Sequence, residues 1–80
     1  MAAEITLFTK YDVLKGAQVI DASSVFDQKT ATFTASKYCY ARVYANGADV
    51  KLTIATFQFT VPSGTVETFA LESGTAVAVA

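Results

Sequence analysis

Asn46-Gly47 is the feature that most constrains what this chain can fold into. Asn-Gly is the dipeptide most at home in a two-residue hairpin loop, because a type I′ turn needs positive φ at both central positions. The flanking residues, YCYARVYANGADVKLTIA from Tyr38 to Ala55, alternate on both sides of it. With those two residues as the loop, Ala45 faces Ala48, Val43 faces Val50, Ala41 faces Leu52 and Cys39 faces Ile54, and that whole face is apolar. The opposite face sets Tyr44 against Asp49, Arg42 against Lys51 and Tyr40 against Thr53, with a diagonal Arg42–Asp49 contact relieving the like-charged pair. One register that separates apolar from polar on both strands predicts a central antiparallel hairpin.

The remaining segments read as short strands as well. Residues 3–9 (AEITLFT) place Ile5 and Leu7 on one side and Thr6 and Phe8 on the other. A turn, or one loose helical turn, is expected from Asp12 to Gly16, followed by a strand over 17–21 (AQVID). Ser23, Ser24, Asp27 and Gln28 suggest a polar loop pinned by Val25 and Phe26, with Ser24 able to N-cap a helical turn over 25–29. Residues 30–35 (TATFTA) have strict period two, with Ala31, Phe33 and Ala35 opposite a row of threonines. Phe57 to Val61 alternates again. Pro62-Ser63-Gly64 then turns the chain, and Val66 to Leu71 is expected back as its hairpin partner. A three-residue loop would set Val61 against Thr65 and a four-residue loop against Val66. The second is preferred because it keeps Phe57, Phe59, Val61 and Val66 on one face. Glu72-Ser73-Gly74 is the last turn before the strand TAVAVA. About seven short strands at spacings of roughly 8 to 12 residues, without a helical period, predict an all-β single domain over residues 1–80: a small antiparallel β-sandwich or barrel.

Composition narrows the functional classes. The 80 residues carry no histidine, one cysteine, six Lys and Arg and seven Asp and Glu. Ser-His and Cys-His nucleophiles need an imidazole base, and a structural zinc site needs more Cys or His than this, so no catalytic, metal or cofactor residue is assigned. The acids are spaced without a calcium-loop pattern, and the four glycines fit no phosphate-binding fingerprint. Cys39 reads as a small buried hydrophobe. A net charge of −1 with interspersed signs argues against binding nucleic acid through phosphate neutralisation. No apolar run approaches the roughly 20 residues of a membrane span. The opening MAAEITLFTK lacks a basic region followed by an apolar core, so synthesis in a reducing cytosol, with use there or release by lysis, is expected.

What remains is protein binding. Tyr38, Tyr40, Arg42 and Tyr44 along one strand, with Lys51 beside them, have the composition of an interface. The alternatives are a second covered core with the hydroxyls at its rim, or a stacking platform for carbohydrate or single strands. The uncharged, β-prone TAVAVA would be an aggregation-prone edge unless covered within its own sheet or by another chain. Val77 and Val79 therefore join the interface candidates, and a homo-oligomer is expected.

From Asn46 onward the order NGADVKLTI, FTVPSGTVE and LESGTAVAVA resembles the C-terminal part of short virion proteins of tailed bacteriophages, in which an NG hairpin, a V-P-x-G-T turn and a late S-G-T-x-V strand succeed one another. The resemblance spans about 35 residues and brings no catalytic residue with it. It implies a capsid decoration or cement protein: a non-enzymatic structural component of the virion that binds the major capsid protein or another virion protein and stabilises the head, as a trimer by analogy. A small soluble inhibitor or adaptor, acting on one host protein through the Tyr/Arg face, is the alternative.

Overall fold

The computed structural model describes residues 2–80. The fold is all-β, built among the described residues from ten strands and a single 3₁₀ turn at Ala22–Ser24. In chain order the strands are β1 (Ala3–Phe8), β2 (Tyr11–Leu14), β3 (Ala17–Ile20), β4 (Val25–Lys29), β5 (Phe33–Thr34), β6 (Cys39–Ala45), β7 (Val50–Ile54), β8 (Phe57–Val61), β9 (Val66–Leu71) and β10 (Ala76–Val79). They form two four-stranded antiparallel sheets, ordered β4-β1-β6-β9 and β5-β10-β7-β8, and a separate two-stranded hairpin of β2 and β3.

One core lies between the four-stranded sheets. Ile5, Leu7, Ala41, Val43 and Leu71 enter it from the first sheet, and Phe33, Val50, Leu52, Val61 and Val77 from the second. The period-two alternation of β6 is followed residue by residue: Cys39, Ala41, Val43 and Ala45 are buried, while Tyr40, Arg42 and Tyr44 are half-buried on the outer face.

The Asn46-Gly47 hairpin is corrected by this topology. β6 and β7 do not pair. β6 lies between β1 and β9, with Val43 opposite Ile5 and Glu67, and β7 lies between β10 and β8, with Val50 opposite Val61. Only Gly47 takes positive φ (84°), whereas Asn46 does not, so the type I′ condition fails. Residues 46–49 instead carry the chain from one sheet to the other, a gap of about 10 Å. The predicted split into faces survives, because Val43 and Val50 both face the core, from opposite sides of it.

The Phe57–Leu71 hairpin is corrected for the same reason. β8 pairs with β7, and β9 pairs with β6 in the other sheet. Pro62-Ser63-Gly64-Thr65 and Glu72-Ser73-Gly74-Thr75 are both crossings, and they share one construction. In each, the Thr N–H donates to the carbonyl three residues back, at 3.0 and 3.1 Å. The third residue is glycine at φ 81° and 87°, the position where a type II turn requires positive φ. Each turn also grips an alanine on a neighbouring strand end. Gly64 N–H donates to Ala45 O and Ala45 N–H to Thr65 O (2.7 and 3.1 Å), just as Gly74 N–H donates to Ala35 O and Ala35 N–H to Thr75 O (2.8 and 2.9 Å).

Two-residue loops do occur, but elsewhere. Lys15 and Gly16, at φ 51° and 80°, connect β2 to β3 with Leu14 opposite Ala17, the φ signature of a type I′ hairpin. Asp12 is therefore in a strand, not in the expected turn. Ala55-Thr56 joins β7 to β8, with Ala55 at φ 57°. No helical turn forms over 25–29: Asp21, not Ser24, caps the short 3₁₀ turn, and residues 25–29 are the edge strand β4. The expected strand over 30–35 shrinks to Phe33–Thr34, because 30–32 carry the chain across to the second sheet.

TAVAVA is not an open edge. β10 is central, between β5 and β7. Where the short β5 runs out, the Thr32 hydroxyl accepts from the Val79 N–H at 3.0 Å.

The candidate interaction face

The outer face of the β4-β1-β6-β9 sheet carries most of the residues that sequence reasoning singled out. Tyr40, Arg42 and Tyr44 project from the central strand β6. Their neighbours on β1 are Phe8, Thr6 and Glu4, and on β9 Ala70, Thr68 and Val66. Tyr38 stands just before β6, 58% exposed, with its ring centroid 6.1 Å from that of Tyr40 in an edge-on arrangement.

One end of this face is covered and the other is open. Phe8 is fully buried although it sits on the outward phase of β1. Its ring lies 4.9 Å from Tyr11 and 5.5 Å from Tyr40, and Tyr11 and Tyr40 are 5.1 Å apart. The β2–β3 hairpin is held in place at its base. Asp21 N–H donates to Lys10 O at 3.0 Å, and the Ser24 hydroxyl accepts from Lys10 N–H at 3.0 Å and donates to Asp21 O at 2.8 Å. A Lys10–Asp21 ion pair at 3.8 Å closes the same corner. Tyr11 and Phe8 were not among the predicted site residues; the signal available was an aromatic at an outward position followed three residues later by another.

At the open end, Arg42 is half-buried and lies opposite Thr6 and Thr68. It lines a depression of about 270 Å³ together with Glu4, Thr6, Gln28 and Thr30. Among the described residues no carboxylate pairs with Arg42: Glu4 accepts instead from the Asn46 side-chain amide at 2.6 Å, and Lys29 pairs with Asp27 at 2.9 Å. That ion pair and the Gln28 N–H hold the Asp27 carboxyl below the usual carboxylate range. The Asp21 carboxyl is lowered too, by the hydroxyl and N–H of Ser23.

The other candidates lie elsewhere. Lys51 is exposed on the second sheet, opposite Thr60, and is not beside Arg42. The Arg42–Lys51 and Arg42–Asp49 contacts do not exist because their strands belong to different sheets; Asp49 accepts from the Ser63 N–H at 2.8 Å. Val77 is 2% exposed and packs in the core, and Val79 is half-buried against it. Cys39 is fully buried, and burial pushes its thiol pKa up. Among the described residues no group of three or more His, Cys, Asp or Glu is placed to hold a metal ion.

No family model matches this chain, no curated protein matches its sequence, and no solved structure matches its fold.

Proposed function

We propose that the protein is a structural component of a phage particle, a decoration or cement protein that docks on the head shell through the outer face of its first sheet. The observation that carries this reading is the row Tyr40, Arg42 and Tyr44, half-buried at the centre of a sheet face that the chain leaves open beyond Tyr40. Tyrosine supplies large contact area at a cost of only two side-chain torsions, and arginine adds a planar fork of hydrogen-bond donors, which suits the centre of a docking surface. The flanking Thr6, Thr68 and Val66 are small enough to let a partner surface approach that row. The resemblance from Asn46 onward directs the choice to the virion. Binding across a capsid subunit junction would add buried area where internal pressure pulls the shell apart, and a homo-oligomer would multiply that area.

The depression beside an unpaired Arg42 favours a second reading, a small binding module that captures one acidic group of a host protein. Copy number separates the two. Mass spectrometry of purified particles should find this chain at many copies per virion, and Arg42→Glu should lower that occupancy. Absence from the particles, with retention of a single host protein lost in Arg42→Glu, would replace the first reading by the second.

A further inference from the structure

The four outer edges of the two main sheets are not alike. β4 turns Asp27 and Lys29 to the core side of its sheet, opposite Leu7 and Ile5, and its ladder with β1 is bulged at Leu7/Phe8. β9 turns Glu67 to the core side, opposite Val43. β5 is two residues long. Inward-pointing charge, a bulge and brevity each keep an edge from accepting another strand. β8, with sequence FQFTV, has none of these: it is five residues long, uncharged and regular along its whole ladder with β7. It is also where the chain exposes Phe57 (68%) and Phe59 (40%).

The direction of its free backbone groups follows from its neighbour. Lys51 N–H donates to Ala80 O and Ala80 N–H to Lys51 O (3.4 and 2.9 Å). Lys51 thus aims both groups at the β10 side, and Lys51–Thr60 is a non-hydrogen-bonded pair of the β7–β8 ladder. Thr60 and Gln58, two residues earlier, therefore direct their N–H and C=O groups at the open edge. Phe57, Phe59 and Val61 direct theirs at β7.

We infer that β8 pairs with β8 of a second copy, antiparallel about a two-fold axis at Phe59, and joins two four-stranded sheets into one of eight strands. The sequence is self-complementary in that register. Phe59 meets its own counterpart as a non-hydrogen-bonded pair. Gln58 meets Thr60 of the other copy, and both present free N–H and C=O groups to each other. Phe57 meets Val61. All the apolar members fall on the core side, beside Phe69, whose ring is already 5.2 Å from Phe59, and the polar pair falls on the outer side. The contact is isologous and closes at two copies. It leaves the Tyr40–Arg42–Tyr44 face free, and it does not depend on the virion reading. An edge-to-edge contact of one strand is below the size of a standard interface, so the dimer forms and dissociates with concentration.

Sedimentation across a wide concentration range should show the mass moving from one copy to two. Gln58→Pro removes an N–H that the chain's own sheet does not use and should weaken dimerisation at least about tenfold with an unchanged circular dichroism spectrum. Gln58→Glu with Thr60→Glu, which retains every backbone donor and places an acid opposite Lys51 in its own sheet, should do the same by like-charge repulsion across the axis. Register is read by crosslinking. Phe59→Cys sets two thiols on strands with Cα atoms about 4.5 Å apart, within disulfide reach, and should give a covalent dimer under mild oxidation. Thr60→Cys, which faces Gln58, should not, and buried Cys39 gives no background. A monomer at every concentration, a dimer indifferent to both edge variants, or capture at β8 of an extended segment of another protein while the chain stays monomeric would overturn the inference.

Discussion

Replacing Phe8 by alanine tests whether the β2–β3 hairpin is an integral part of the domain or an appendage. Phe8 lies on the solvent side of its sheet by register, yet it is 0% exposed because Tyr11 and Tyr40 enclose it. Phe→Ala at a closed site costs about 3–5 kcal/mol in lost transfer energy and residual cavity, and the two ring contacts add to that only if they hold the hairpin in place. A domain of this length has a total stability of roughly 4–12 kcal/mol, so the loss is about a quarter of the total or more. In urea, with a slope near 1 kcal/mol per M for a small domain, the midpoint should fall by about 3–5 M. Hydrogen exchange locates the effect: amides of residues 11–20 should lose protection before those of β7 and β10. Phe8→Leu, which keeps much of the apolar volume, should cost less than half as much. A loss below about 1 kcal/mol with unchanged protection in residues 11–20 would refute the reasoning and make the aromatic cluster incidental to stability.

Ala55 occupies a left-handed backbone at φ 57°, which costs a residue with a Cβ about 1–2 kcal/mol; Ala55→Gly should therefore stabilise by roughly 0.5 kcal/mol after the greater chain entropy of glycine is subtracted, read as a raised melting temperature. Cys39 is fully buried with its thiol pKa raised by that burial, so native labelling at neutral pH should be slow and should accelerate on unfolding; rapid stoichiometric labelling of the folded protein would contradict the placement. The Asp21 carboxyl is depressed by the Ser23 hydroxyl and N–H, so its contribution is present above the unfolded carboxylate value and is lost as pH falls below about 4 through the folded value. Ser23→Ala should move the Asp21 titration upward in NMR and flatten that acid limb, and an unmoved titration would show that the hydroxyl is not the cause.

Much of the strand pattern was legible in the residues. The alternation of Cys39, Ala41, Val43 and Ala45 against Tyr40, Arg42 and Tyr44 fixes which side of β6 meets the core, since side chains on a strand project with period two whatever its neighbours are. The turn positions at Asn46-Gly47, Pro62-Ser63-Gly64 and Glu72-Ser73-Gly74 were legible for the same local reason, and so was the burial of Cys39. The choice of neighbours was not. Val43 and Val50 face the core equally well side by side in one sheet or across from each other in two, so the clean two-face split around Asn46-Gly47 could not separate a hairpin from a crossing. That decision belongs to the tertiary structure. β1 and β9 occupy both flanks of β6, which leaves β7 no free edge there, and residues 46–49 span the gap between sheets with only Gly47 at positive φ. The interaction face divided in the same way. Tyr40, Arg42 and Tyr44 share one strand and stay together on one face, whereas Lys51 was joined to them only through the assumed hairpin and moves to the other sheet once β7 pairs with β8 and β10. Phe8 marks the limit from the other side: its phase on β1 points it to solvent, and only the fold-back of the next hairpin, which sets Tyr11 against it beside Tyr40 of β6, buries it.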